Sequence, residues 1–243
     1  KGDTPMLLQV KGVSFSYGSV RALQDVSFCA QAGQIVGLIG ENGAGKSTMI
    51  KNITRHLKPQ QGQITIDGTR VSEISNEDFP VSYIPEIPVF YEELTVIEHL
   101  HFIKALYPEN TQSIPAIVAH FELEEHINKV PSALSRGTKQ KLMIAMALMR
   151  AYRILIADEP FTGLDPKQIR LLKETMLQHK KDNKLVLLST HLLDMVEKLC
   201  DKYIILHKGR VLATGAQSEL ASYAGLPRDS SMENIYLKLV ESL

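Results

Sequence analysis

With 243 residues the chain has room for one large α/β domain or two small lobes around a substantial core. Its 27 basic and 27 acidic residues cancel, which argues against nucleic acid as the main partner. No apolar run approaches the roughly 18 residues that cross a bilayer, and no signal peptide precedes the first strand, so any membrane role has to be borrowed from a partner.

Residues 1–5 read as preceding a natural start at Met6. Antiparallel strands are expected at Leu7–Val10, Val13–Tyr17 and Val26–Ala30, with a glycine turn at Gly33. Cys29, and Cys200 far along the chain, lie in apolar segments and read as buried thiols of a reduced cytosolic protein, not as a disulfide or metal pair. The apolar run Ile35–Ile39 then leads into Gly40-Glu41-Asn42-Gly43-Ala44-Gly45-Lys46-Ser47-Thr48, which matches the phosphate-loop pattern G-x-x-x-x-G-K-[ST] at every fixed position. Gly40, Gly43 and Gly45 let the backbone close around an anion with its N–H groups turned inward. The loop opens a helix through Ser47, Thr48, Met49 and Ile50, whose positive dipole end faces the phosphates. Lys46 is expected to reach the β- and γ-phosphates, and the Ser47 hydroxyl to ligate Mg²⁺.

The helix should end before Lys58-Pro59. Residues 62–71 read as a hairpin turning at Asp67-Gly68, and Val81–Ile84 as a short strand stopped by Pro85. From Tyr91 to Arg150 the pattern becomes helical. Thr95 and Glu98 form a capping box, followed by Leu100, Ile103, Leu106 and Tyr107 at helical spacing. A second helix starts at Ser135 and carries Leu142, Met143, Ala145, Met146 and Leu148, its methionines read as core filling. Strands buried on both faces return at Arg153–Ala157, Lys184–Ser189 and Lys202–His207. Asp165-Pro166-Lys167-Gln168 supplies a cap, a proline at the first helical position and a reciprocal partner. Ser230 with Glu233 is the expected cap of a last helix.

The phosphate loop alone fits kinases, GTPases, motors and transport ATPases. The strand Ile154–Ala157 narrows the field because it closes on two adjacent acids, whose side chains alternate and so can serve different tasks. Asp158 is expected to hold Mg²⁺ through its water shell and Glu159 to polarise an attacking water as general base.

These segments together resemble the ATP-binding subunit of an ATP-binding-cassette (ABC) transporter over nearly the whole chain. Pro160–Pro166 is similar to the family's D-loop, Ser189-Thr190-His191 to its switch histidine, and Leu134–Lys141 to its signature. The resemblance implies an α/β phosphate-loop NTPase fold of RecA type: a mixed-sheet core with an antiparallel β subdomain (6–85 and 151–220), an inserted helical subdomain carrying the signature (86–150) and a C-terminal tail (221–243). It implies that ATP and Mg²⁺ bind, that Tyr17 stacks on adenine, and that His191 contacts the γ-phosphate. It also implies that Ser135 and the backbone at Gly137 bind the γ-phosphate of a second ATPase subunit in a head-to-tail homodimer or heterodimer.

Three positions depart from the family pattern. Glu86 stands where glutamine usually links Mg²⁺ to the transmembrane interface, Arg136 replaces the second signature glycine, and Thr138 replaces a glutamine. Glu86 keeps a metal-ligating oxygen but adds a charge. Pro88, Val89, Phe90 and Tyr91 suit a groove for a short helix of an integral membrane subunit, which places the chain peripherally on the cytoplasmic face of the membrane. The short C-terminal region resembles exporter ATPases. The competing reading is an ABC ATPase that drives a cell-wall or assembly machine without moving solute.

Overall fold

The computed structural model describes residues 6–109 and 112–242; the segment read as preceding Met6 lies outside them. Strand β1 (Met6–Tyr17) turns through Gly18 into β2 (Val20–Gln31), which alternates buried Val26, Phe28 and Ala30 with more exposed neighbours. The two short strands expected at 7–10 and 13–17 are one. The register slips between Val10 and Val13, where Gly12 takes a φ of 60°, so a bulge and not a chain break interrupts the alternation. β4 (Gln61–Ile66) and β5 (Thr69–Arg70) complete a four-stranded antiparallel sheet in the order β2-β1-β4-β5. Asp67 and Gly68 both have positive φ, 48° and 81°, as the tight turn between them requires.

The second sheet is built on β3 (Ile35–Ile39). Its order is β10-β9-β3-β8-β7-β6, formed with β6 (Val81–Ile84), β7 (Ile154–Asp158), β8 (Leu185–Thr190), β9 (Lys202–His207) and β10 (Arg210–Gly215). β6, β7, β8, β3 and β9 run parallel, and only β10 is antiparallel. Strand alternation splits the core in two. Ile35, Ile39, Leu155, Ala157, Val186 and Leu188 face one apolar layer, and Val36, Leu38, Ile154, Ile156, Leu185 and Leu187 face another shared with the antiparallel sheet.

Helix α1 (Lys46–Ile53) follows the phosphate loop and buries Met49, Ile50 and Ile53 in the second layer; it stops sooner than Lys58 implies. The first layer is covered by α2 (Val96–Leu106), α3 (Ile114–His120), α4 (Arg136–Leu148), α5 (Pro166–Lys181), the single turn α6 (Leu193–Val196), α7 (Gln217–Tyr223) and α8 (Met232–Glu241). The Thr95–Glu98 box forms, with Thr95 N donating to Glu98 Oε2 at 2.7 Å and Glu98 N to Thr95 Oγ1 at 3.4 Å. Asp165 and Gln168 cap α5 in the same way. Leu106, by contrast, is exposed, because α2 presents its last turn to solvent.

Two further expectations are corrected. The cap of α8 is Ser231, whose hydroxyl accepts from Asn234 N at 3.3 Å, while the Ser230 carbonyl accepts from Gln217 Nε2 at 2.9 Å. That anchor places Ser230 outside the helix and moves the start one residue on. Both cysteines are free, and as whole residues they are half-buried, less than expected. Burial pushes the Cys200 thiol pKa well up, in keeping with an inert group.

Candidate functional site

The site grows out of the carboxyl ends of β3, β7 and β8. β3 is central, so its following loop emerges between β9 and β8 with little space around it. A Cβ at residue 40 would lie 2.3 Å from the Leu206 carbonyl, and one at residue 45 would lie 2.6 Å from the Ala22 carbonyl. Gly45 also has a φ of 106°, so this position rejects a side chain on two grounds. Ala44 N donates to the Glu41 carbonyl at 3.1 Å and closes the loop.

Lys46, only 6% exposed, donates to the carbonyls of Gly40 at 2.8 Å and Glu41 at 3.1 Å. Its ammonium is also 3.6 Å from Glu159 Oε1. Glu159 follows the end of β7 in a left-handed conformation with a φ of 47°. It is held there by its own N–H, which donates to the Ser189 carbonyl at 3.1 Å and hydroxyl at 3.2 Å. Asp158 pairs with Ser189 in the parallel register and accepts from its hydroxyl. A non-glycine residue at positive φ costs about 1 kcal/mol or more, a strain the Ser189 bonds offset.

Glu159 Oε1 lies 3.0 Å from His191 Nδ1, whereas Oε2 is buried without a protein partner. A buried, unsatisfied carboxylate oxygen is costly and marks where a polar reactant or its water fits. Burial, with Asp158 and Glu86 close by, pushes the Tyr83 pKa up and keeps it a neutral phenol.

One cleft of about 470 Å³ gathers Asn42, Gly43, Gly45, Lys46, Ser47 and Thr48 with Glu86, Glu159 and His191. Gly40, Glu41, Ala44 and Asp158 do not line this cleft. Tyr17 is not in the cleft wall. It is 47% exposed, edge-on to Phe15 at 5.0 Å, and pairs across the hairpin with Val20, which does line the cleft. Ser135 and Gly137 are also outside. Ser135 caps α4, accepting from Thr138 N at 3.2 Å, and a Cβ at Gly137 would meet Gln168 Oε1 at 3.2 Å. Arg136 covers the D-loop-like segment: its Nε would be 2.8 Å from a Cβ on Gly163. The sequence reading missed Val20, Arg21, Ala22 and Thr162 as lining residues; Thr162 had a signal in its place within 160–166, and the first three had none. A larger cavity of about 820 Å³, lined by Phe79, Tyr107, Arg150 and Arg153 among others, holds none of these groups.

The family model described as "ABC transporter" matches residues 23–162, a span that includes the phosphate loop, signature and paired acids. This chain belongs to the ABC transporter family. It is 41% identical over 241 residues to the ABC-type transporter ATP-binding protein EcsA of Bacillus subtilis, covering 97% of both chains. It is 32% identical over 244 residues to the Nod factor export ATP-binding protein I of Rhizobium johnstonii, covering 94% of this chain and 78% of that one. The solved structure of an ATP-binding subunit of an ABC transporter superposes with a TM-score of 0.90 at 40% identity, over 96% of this chain and 99% of the other. A nucleotide-free ATP-binding cassette at 22% identity and a TM-score of 0.78 shares the fold.

As an ABC ATP-binding subunit, the protein binds and hydrolyses ATP. ABC subunits of this kind act in pairs with membrane-spanning transporter subunits. Among the described residues no helix is long and apolar enough to cross a membrane.

Proposed function

We propose that the protein powers export through separate membrane subunits by closing head-to-tail with a second ATPase subunit around two ATP-Mg. The observation that carries the ATPase half of this reading is the meeting of three groups at one cleft, with Lys46 at 3.6 Å and His191 at 3.0 Å from the same Glu159 oxygen. Similarity to a Nod factor export ATP-binding protein supports export.

In this reading Lys46 leaves the loop carbonyls for the β- and γ-phosphates. Glu159 takes a proton from the attacking water, its partnerless Oε2 being free to accept, and His191 orients both water and phosphate. Ser47, Asp158 and Glu86 offer oxygen donors only, a set that suits Mg²⁺. When bound, that ion supplies charge neutralisation to the phosphates. In this reading Tyr17 stacks on adenine, supported by its exposure and its pairing with Val20 at the cleft wall.

Ser135 and Gly137 lie outside their own chain's cleft, which supports a role at the partner's γ-phosphate. The signature helix has its N-terminal amides to offer there. A second cavity of about 320 Å³ is lined by Tyr83, Val89, Ile103, Tyr107, Met143 and Met146, and Val89 on its wall is 77% exposed. It supports docking of a short apolar helix from a membrane subunit, which holds the protein on the cytoplasmic face. Co-purification with a polytopic subunit and ATP-dependent solute flux in vesicles test the proposal. A complex that hydrolyses ATP but moves none of the candidate solutes would favour the machine-driving alternative.

A further inference from the structure

The last helix touches the phosphate loop through one mid-helix side chain. Met232 and Ile235 are fully buried and Leu239 nearly so, packing α8 onto the helical face of the six-stranded sheet. Its first turn is tied down by Glu197, whose Oε1 accepts from Met232 N at 3.0 Å and from Gln217 Nε2 at 2.9 Å. The helix is therefore a fixed arm. From it the Tyr236 hydroxyl accepts a hydrogen bond from Glu41 N at 3.2 Å, across 195 residues of sequence. Partial burial pushes the Tyr236 pKa up, so the hydroxyl stays neutral.

This N–H belongs to the peptide unit whose carbonyl, that of Gly40, accepts from Lys46 Nζ at 2.8 Å. The peptide is planar, so its N–H and C=O turn together. Tyr236 and Lys46 thus hold opposite ends of one rigid plate, and the next carbonyl, Glu41, also receives Lys46 at 3.1 Å. The Glu41 carboxylate lies 3.1 Å from His207 Nδ1 at the end of β9 without a hydrogen bond between them. Without the hydroxyl the plate could rotate, and the lysine seat would rotate with it.

We propose that Tyr236 is a positioning residue for the ATP site: it holds the Gly40–Glu41 peptide, and with it the phosphate loop, in the shape that receives ATP, which makes the C-terminal helix a latch on that loop. The proposal rests on ATP binding and is independent of what the membrane partner carries. Tyr236→Phe keeps the ring and removes only the acceptor. In the full chain, titration with a fluorescent ATP analogue should show a Kd raised by about 2- to 10-fold, the worth of one neutral hydrogen bond. In steady-state assays the loss should fall on KM for ATP more than on kcat. The nucleotide-free melting midpoint should stay within about 4 °C of wild type. Glu197→Ala, which removes the acceptor of both bonds and leaves Tyr236 intact, should weaken the same analogue in the same direction. An unchanged Kd in Tyr236→Phe would overturn the proposal. So would a loss shared equally by kcat and KM together with a lower melting midpoint, which would mark Tyr236 as merely structural.

Discussion

Glu159 shows how much chemistry one residue can gather: it touches Lys46 and His191 through one oxygen and leaves the other unpaired in a buried place. Glu159→Gln keeps the shape and loses the basic oxygen. Turnover should fall by about 10²- to 10⁴-fold in a phosphate-release assay while ATP is still retained; wild-type turnover in that variant would exclude Glu159 as the base. Lys46→Ala acts earlier. It removes charge-assisted bonds to phosphate and should weaken ATP by about 10- to 100-fold in a direct titration. At this scale most of the site was legible, because the phosphate loop and the paired acids are continuous stretches whose spacing carries the chemistry. Tyr236 and Ser189 were not read as supports of the site, since each supports its neighbour through folding that brings distant segments together.

Elements with strong local signals were read almost to the residue: β6, the Thr95 box, and the Asp165-Pro166 start of α5. The α3 helix, β10 and α7 escaped because their short lengths give too few periods to count. The Ser230 assignment failed because a correctly spaced serine was already engaged by Gln217. One buried histidine was also overlooked. His99 donates from Nδ1 to the Thr95 carbonyl, 2.9 Å away, and accepts at Nε2 from Tyr91 N, 3.1 Å away. It therefore staples the start of α2 to the loop that carries the exposed apolar residues. His99→Phe fills the space but leaves Tyr91 N unmatched, while the Thr95 carbonyl keeps its bond from the backbone N–H of residue 99. A loss of about 1 to 3 kcal/mol is expected in urea unfolding, the cost of an unsatisfied buried polar group. A midpoint equal to wild type would show that the staple contributes nothing.

For the molecule as a whole, acid sensitivity should report on His179, which α5 buries against Tyr152 with its Nε2 2.7 Å from the Tyr152 hydroxyl. Burial, helped by Lys184, lowers its pKa from 6.5 to about 4. The unfolded chain then binds the proton first, so this contribution to stability is complete above about pH 6.5 and is lost as pH falls towards 4. Melting midpoints should drop across that window, and less steeply in His179→Gln; parallel pH profiles would show that another group governs the loss. The sheet class was readable from its apolar strands, but the strand order was not, because each neighbour of β3 comes from far along the chain. That order has a consequence for synthesis. The strand bearing the phosphate loop has no sheet neighbour until residues roughly 150 further on leave the ribosome, about 7 to 30 s at ~5–20 residues per second. Over that interval the early β1–β2 hairpin can fold while the loop next to it waits, so a nascent chain halted before β8 would carry the whole ATP motif and no site to hold it.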